Sequence, residues 1–309
     1  MEFSYYKYRE KLNAALKKYS HRAAEGEVIM KTVDFFGTQV SKLILGDNPV
    51  HGHSYISDVT PGSKMMDYYT ADNFLALLRH AEELGINAFL GLANDFTFRV
   101  WRQYKNEGGN MHLMFQTYPP MGLEANIMQM KGQNPIAIYH QGGSFDYMLE
   151  TGQEEDAKAR IRLLKKSGLP VGLCSHVPEV ILRAEEEDWG ADFYMTCLYN
   201  ARKQQRGQQS GFITGKSKSL VFYPEDKYEM FKVIKQVQKP CLVFKMLAGG
   251  QVFYGKDPSE YEAVLEKEFR DAYENMKPQD IGVIGVYQGD HDQLGQNVRI
   301  INKILEELG

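Results

Sequence analysis

Several features that would mark a specialised class of protein are missing from this sequence. Only three cysteines occur, Cys174, Cys197 and Cys241, and each falls inside a predicted strand rather than in a paired framework. A disulfide-stabilised secreted domain is therefore not indicated, and this usage is typical of a reducing compartment. We expect a cytoplasmic protein without disulfides.

Long apolar runs and an excess of either charge are missing as well. No window approaches the roughly 18 consecutive apolar residues that a membrane helix needs, and the charged N-terminus lacks the apolar centre of a signal peptide. The net charge of −4 gives no electrostatic reason to expect nucleic acid or an anionic membrane as a partner. The expected partner is a small-molecule substrate, and a homo-oligomer is compatible with the sequence.

What the sequence does contain is an alternation of short apolar runs with amphipathic helices, clearest between Pro135 and Asn200. The runs IAIY, VGLC and FYMTC show no polar alternation, which is typical of strands buried on both faces. Connections of this length join parallel strands through right-handed helical crossovers.

The same unit extends along most of the chain. The predicted strands are Lys42–Gly46, Ala88–Leu92, Leu113–Thr117, Ile136–Tyr139, Val171–Cys174, Phe193–Cys197, Cys241–Met246 and Ile281–Tyr287. Strict alternation with helices predicts an α/β fold, a closed (β/α)₈ TIM barrel, with an open doubly wound sheet as the alternative. A hairpin turning at Phe36–Gly37–Thr38 favours the barrel, because it would plug the bottom.

We find no shift of composition that would mark a linker. Residues 27–309 are therefore predicted to form a single TIM-barrel domain. Residues 1–26 are predicted to form an N-terminal helical extension, with the helix itself over Tyr5–Arg22.

Several segments resemble the aldo-keto reductases. They are MKTVDFFGTQVSKLILGDNPV, HAEELGINAF, the stretch from KKSGLPVGLCSHVPEV to ADFYMTCLYN, and VFKMLAGG with DQLGQNVRIINKI. The resemblance covers about Val28 to Leu305. It implies the barrel fold, a site at the C-terminal mouth and a bound NADP.

The resemblance carries over one of the four catalytic residues of these reductases. Their His matches His140, whereas the Asp position holds Leu90 and the Lys position falls within Gln116–Tyr118. The loop that should supply the Tyr has none, which leaves Tyr118 or Tyr139 as substitutes. Since that Tyr donates the proton to the carbonyl, the usual route of reduction lacks its acid.

The contacts that hold the nicotinamide amide in the family are altered too. Its Ser-Asn pair appears here as Cys174 and Ser175, and its Gln as Thr196 or a neighbour. With Gly249 and Gly250, where barrels often bind phosphate on backbone N–H groups, Cys174 and Ser175 are the cofactor-binding candidates. A tight turn explains the two glycines equally well.

Three residues are the catalytic candidates. His140 ends the fourth barrel strand and is the retained family position, and His176 lies on the same side of the fifth strand as Cys174. Lys245 stands inside the apolar run VFKMLA and must point towards the mouth, because burying an unpaired ammonium is costly. It would hold an anionic group or act as a Schiff-base amine.

Polar residues near the other strand ends are the substrate-binding candidates. They are Asp47, Asn94, Asp95, Asn200 and Gln288. A basic loop after Asn200, beginning with Arg202, would close over an anionic ligand, although a solvated loop is the simpler interpretation.

These residues predict an enzyme, oxidoreductase-like by resemblance, that acts on a small polar or anionic carbonyl or hydroxyl compound. A metal-dependent hydrolase or lyase is one alternative, with His51 and His53 as ligands beside His140 and His176 and a divalent metal that activates water. A catalytically inactive binding barrel is the other.

Overall fold

The computed structural model of the protein describes residues 30–200, 202 and 221–309. Within them, eight parallel strands close into a barrel through the pairing of the last strand with the first. The predicted (β/α)₈ barrel is therefore confirmed over the open sheet. The predicted helix Tyr5–Arg22, and the basic loop apart from Arg202, lie outside the described residues.

The chain enters the barrel through a hairpin of β1 (Thr32–Phe35) and β2 (Thr38–Ser41). The barrel strands follow in chain order. They are β3 (Leu43–Gly46), β4 (Ala88–Leu92), β5 (His112–Gln116), β6 (Ala137–His140), β7 (Val171–Ser175), β8 (Phe193–Cys197), β9 (Cys241–Phe244) and β10 (Ile281–Ile284).

Ten α-helices of the described chain surround the strands. They are α1 (Gly62–Tyr68), α2 (Ala71–Glu83), α3 (Asp95–Asn106), α4 (Leu123–Lys131), α5 (Gly142–Glu150), α6 (Glu154–Lys165), α7 (Pro178–Glu186), α8 (Asp226–Gln236), α9 (Tyr261–Tyr273) and α10 (Gln293–Glu307). Short 3₁₀ helices span Asn48–His51, Ala248–Phe253 and Pro258–Glu260. Over the described residues, no helix has the length and apolarity to cross a bilayer.

Local side chains explain where helices begin and end. Asn94 caps α3 by accepting the backbone N–H of Thr97 at 2.9 Å. Gly85, with φ 82°, ends α2 as expected, and the N–H of Ile86 then bonds to the carbonyl of Ala81 at 3.0 Å.

Two α-helices of the described chain, α1 and α5, were not predicted from the sequence. The segment from Asp47 to Met66, expected to be irregular, contains a 3₁₀ turn and the start of α1. Helix α5 begins at Gly142–Gly143, a poor helix-forming pair. A Cβ on Gly142 would lie 2.5 Å from the Cys174 sulfur, so close packing on β7 explains that glycine.

Side chains of each strand alternate between the barrel interior and the helix-facing layer. On β6, Tyr139 belongs to the interior cluster and Ile138 to the layer between strands and helices. On β7, Cys174 faces inward and Leu173 outward. This alternation decides which polar residues reach the mouth from within.

The hairpin closes the lower end of the barrel. Its turn uses Phe36 and Gly37 at φ 52° and 84°, which suits the twist of a two-residue hairpin loop. Phe35 and Val40 belong to the interior cluster, and the Phe35 ring lies 5.3 Å from that of Phe193 in an edge-to-face arrangement. The hairpin therefore occupies the position predicted for a plug.

We expect Phe35→Ala to destabilise the protein by about 3–5 kcal/mol, because it empties a fully buried site at the base of the core. The matched control is Phe36→Ala, which removes the neighbouring ring, 46% exposed, and should have little effect. Urea unfolding followed by circular dichroism measures both. Equal losses for the two variants would contradict the plug.

Candidate functional site

The C-terminal mouth of the barrel opens into a cavity of about 750 Å³. Its wall combines strand-end residues, such as His176 and Lys245, with residues of the first loop, such as Asp47 and Tyr55. Tyr139 closes it from the barrel interior. This is the location expected for the site of such a barrel.

One wall of the cavity carries a chain of three side chains. The Asp146 carboxylate lies 2.8 Å from His176 Nδ1. On the other side of the ring, His176 Nε2 lies 3.4 Å from Lys245 Nζ. Two of the three predicted catalytic residues are thus in contact.

The partners of His176 fix its tautomer and its charge. Burial and the nearby Lys245 lower the pKa of His176 below 6.5, and the Asp146 carboxylate opposes them. The ring is therefore neutral at pH 7. Because Nδ1–H donates to the carboxylate of Asp146, the lone pair of Nε2 faces Lys245.

Lys245 reaches this position through an unusual backbone conformation. It takes φ 62°, which costs a residue with a Cβ roughly 1–2 kcal/mol. The side chain of Phe244 faces the barrel interior, and that of Lys245, the next residue, faces the cavity at the mouth. Met246 joins the outer layer between strands and helices. A simple strand alternation would have turned Lys245 away.

The ammonium of Lys245 lies among aromatic rings. It is 4.5 Å from the ring centre of Tyr55, 5.1 Å from Phe222 and 5.6 Å from Phe244. Burial lowers the pKa of Lys245, but the ionisable Cys197 thiol and Tyr55 phenol outweigh it and raise that pKa. The charged form with cation–π contacts suits anion binding better than a Schiff-base amine.

Asp146 is the candidate site residue that sequence reasoning missed. It lies on α5, is 1% exposed, and accepts hydrogen bonds from Ser175 Oγ at 2.6 Å and from the His176 N–H at 3.0 Å. Its signal was weak, because α5 was not predicted and 40 acidic residues occur in the chain. An acidic residue one helical turn after a glycine pair at a strand end was the available clue.

His140, the retained family position, lies on the far side of the barrel wall. It follows inward-facing Tyr139, so alternation turns it towards the helices, where its ring packs 5.5 Å from Phe145. Its Nδ1 is bonded to the carbonyl of Gln141 at 3.1 Å. Burial lowers the pKa of His140 to about 4. His140 is therefore buried and does not line the cavity, so its predicted catalytic role stays a prediction.

Among the substrate-binding candidates, Asp47 lines the cavity, and its carboxylate accepts from the Leu92 N–H at 2.7 Å and faces His51 at 2.9 Å. The other four do not line this cavity. Asn94 caps α3 and Asp95 opens it, Asn200 accepts from the N–H of Arg202, and Gln288 bonds to Asp292 at the start of α10. Polarity at a strand end did not separate capping residues from cavity residues.

The cofactor-binding candidates divide in the same way. Cys174 lines the cavity, and burial raises its pKa so that it stays a thiol. Ser175 instead donates to Asp146. Gly249 and Gly250 line the cavity at φ 60° and 100°, and the Gly250 N–H closes a turn onto the carbonyl of Leu247. The turn interpretation of these glycines is favoured.

The predicted metal ligands do not assemble. His51 bonds to Asp47 and contacts Thr97 at 3.3 Å, whereas His53 lines the cavity, with the two rings 6.5 Å apart. Across residues 30–200, 202 and 221–309, no three His, Cys, Asp or Glu side chains are arranged to ligate a metal.

Arg202 also lines the cavity, and its guanidinium pairs with Glu150 of α5. Leu90 occupies the family's Asp position and faces the cavity from the interior cluster. Tyr139, one of the two proposed substitutes for the missing Tyr, donates to Gln116 Oε1 at 2.8 Å, and burial raises its pKa. It is thus a permanent hydrogen-bond donor.

No model of a protein family matches the chain, and no curated protein sequence does so either. Solved structures do match it. The aldo-keto reductase AKR11C1 from Bacillus halodurans, in holo form, is 12% identical, with a TM-score of 0.54 over 91% of this chain and 96% of the other.

Two further matches have the same identity of 12%. A truncated 3-deoxy-D-arabino-heptulosonate 7-phosphate synthase from Thermotoga maritima has a TM-score of 0.51 over 91% of each chain. A variant of Gox0644 in complex with NADPH has a TM-score of 0.51 over 88% of each chain. A reductase and a synthase match about equally, so the comparisons establish the TIM-barrel fold, which by itself does not specify a reaction.

We expect the imidazole of His140 to remain neutral at pH 6.5, where an exposed histidine is half protonated. Its lowered pKa means that the unfolded chain binds this proton first, so stability is lost as the pH falls from 6.5 to about 4. The loss attributable to His140 reaches roughly 3 kcal/mol. NMR titration of the ring gives the pKa, and urea unfolding of His140→Gln should show a flatter acid limb. A midpoint near 6.5 would contradict this placement.

Proposed function

We propose that the protein is an enzyme that moves a proton on a small anionic carbonyl or hydroxyl compound bound at the barrel mouth. One observation carries the proposal. A neutral imidazole is held between a buried carboxylate and an ammonium group, at 2.8 and 3.4 Å, on the wall of a cavity of substrate size.

His176 is proposed as the general base and acid. Asp146 orients the ring and stabilises the imidazolium that forms when Nε2 takes a proton. A substrate oxygen that accepts a hydrogen bond from Lys245 Nζ would replace His176 as its acceptor. Binding would then free the Nε2 lone pair beside the substrate.

Lys245 is proposed to hold the substrate anion, or the oxygen on which negative charge develops. Its ammonium lies in a partly buried, aromatic setting, where a charge interacts more strongly than it does in water. Stabilisation of an enolate oxygen by this cation would complement removal of the neighbouring C–H proton by His176.

NADP chemistry is the second candidate. The Tyr55 ring centre lies 4.5 Å from the Lys245 ammonium, which favours Tyr55 as the acid that a reductase needs. The NADPH in the Gox0644 structure also supports it. The residues at the nicotinamide position do not fit, since Cys174 presents a thiol and Ser175 is bonded to Asp146.

We expect the wild-type protein to exchange the C–H proton next to the carbonyl of small 2-oxo carboxylates in D₂O. His176→Ala should slow exchange by about 10²–10⁴-fold, because the base is removed. His112→Ala, at the other end of the barrel on β5, is the matched control. Proton NMR over a panel of such acids measures the rate. Equal rates in wild type and His176→Ala would instead support the inactive binding barrel.

The pH profile of that rate tests the charges around His176. The rate should fall as the pH drops through the lowered pKa of His176. Lys245→Met removes a charge that lowers this pKa, so the acid limb should move to higher pH. Asp146→Asn removes a negative charge that raises the pKa of His176, so the acid limb should move to lower pH. Shifts in the same direction for both variants would contradict the arrangement.

The reductase is tested by titration calorimetry with NADPH. We expect no saturable heat, because the nicotinamide contacts are missing, while a 2-oxo carboxylate alone should bind. Saturable binding of NADPH that becomes stronger in Cys174→Ser would favour the reductase over the proton-transfer enzyme.

A further inference from the structure

Two loops meet over Lys245 at the cavity rim. We call residues 47–61 the β3 loop and residues 246–257 the β9 loop. The hydroxyl of Tyr254 in the β9 loop bonds to Asp58 in the β3 loop at 2.5 Å. The β3 loop is also closed on itself, since Ser54 Oγ donates to the carbonyl of Thr60 at 2.6 Å.

The Gln251 side chain ties three segments of chain together. Its Nε2 donates to the backbone carbonyl of Tyr55 at 2.9 Å, and its Oε1 accepts the backbone N–H of Phe222 at 2.9 Å. Those partners are 196 and 29 residues away in sequence. A single carboxamide thus fixes the backbone of both residues at once.

The two residues that Gln251 holds carry two of the three rings around the Lys245 ammonium. The rings of Tyr55 and Phe222 are 5.4 Å apart and lie 4.5 and 5.1 Å from Nζ. The third ring, Phe244, belongs to β9 and is positioned by the barrel itself. The rings of Tyr55 and Phe222 lie outside the strands, so their positions depend on how their own backbone segments are held.

The backbone before Gln251 is shaped to receive the same ring. A Cβ on Gly249 would lie 2.6 Å from the Tyr55 ring, and one on Gly250 would lie 3.0 Å from Ile56. The glycine pair therefore lets the β3 loop approach closely enough for the hydrogen bond from Gln251. Packing and hydrogen bonding act on the same contact.

We infer that Gln251 is a positioning residue for Lys245. Through Tyr55 and Phe222 it holds the aromatic walls that shield the ammonium, and so sets the affinity of the site for an anionic group with an apolar body. The inference rests on the proposed function in taking Lys245 as the group that binds substrate. The shielding of Lys245 is measurable without any substrate.

The test compares three variants by acylation of Lys245 with an acetyl succinimidyl ester, followed by peptide mass spectrometry. Gln251→Met keeps the length and removes the hydrogen bonds to Tyr55 and Phe222, and Gln251→Glu keeps the acceptor for Phe222 but cannot donate to Tyr55. Gln238→Met makes the same change at an exposed site before β9. The exposed Lys232 on α8 is the internal reference.

We expect acylation of Lys245 relative to Lys232 to rise on the order of tenfold in Gln251→Met and roughly threefold in Gln251→Glu, as two bonds or one are lost. Gln238→Met should match the wild type. For a 2-oxo carboxylate that the wild-type protein turns over, Gln251→Met should raise KM more than it lowers kcat.

Unchanged acylation in both Gln251 variants would overturn the inference. So would equal acceleration in Gln238→Met. Circular dichroism of each variant confirms folding, and Gln251→Glu remains informative if Gln251→Met unfolds. If His176→Ala leaves proton exchange unaltered while Gln251→Met still exposes Lys245, the proposed function fails and the positioning role stands.

Discussion

The alternation of side chains along the strands of a closed barrel is the constraint on which the site depends. Closure through the β10–β3 pairing gives every strand one inward and one outward face. A shift of one residue along a strand moves a side chain from the inward face to the outward face. Tyr139 therefore reaches the cavity and His140 the helix layer, although they are adjacent in the chain.

Two residues that the strand alternation does not place complete the candidate site. Lys245 leaves β9 in the left-handed region and turns its ammonium into the mouth. Asp146 comes from α5, whose glycine start lets the helix pack on Cys174. A residue in the left-handed region at this place fits the general association of strained backbone with functional positions.

The charges of the site balance across a neutral ring. The buried carboxylate of Asp146 and the ammonium of Lys245 lie on opposite sides of His176. Neither charge is isolated, because Ser175 and the His176 N–H also bond to the carboxylate, and aromatic rings surround the ammonium. The same fold carries a reductase and a synthase among the similar structures, so these side chains bear the functional argument.

The sequence by itself determined the barrel, the positions of its eight strands, the hairpin, and the location of His176 and Lys245 at strand ends. Apolar runs and helix periodicity are local signals, and a strand end in a parallel barrel always lies at the mouth. Tertiary structure alone decided that Asp146 orients His176, that His140 is walled off, and that Gln251 joins two distant loops. These outcomes depend on side-chain direction and on contacts between distant segments, which local pattern does not encode.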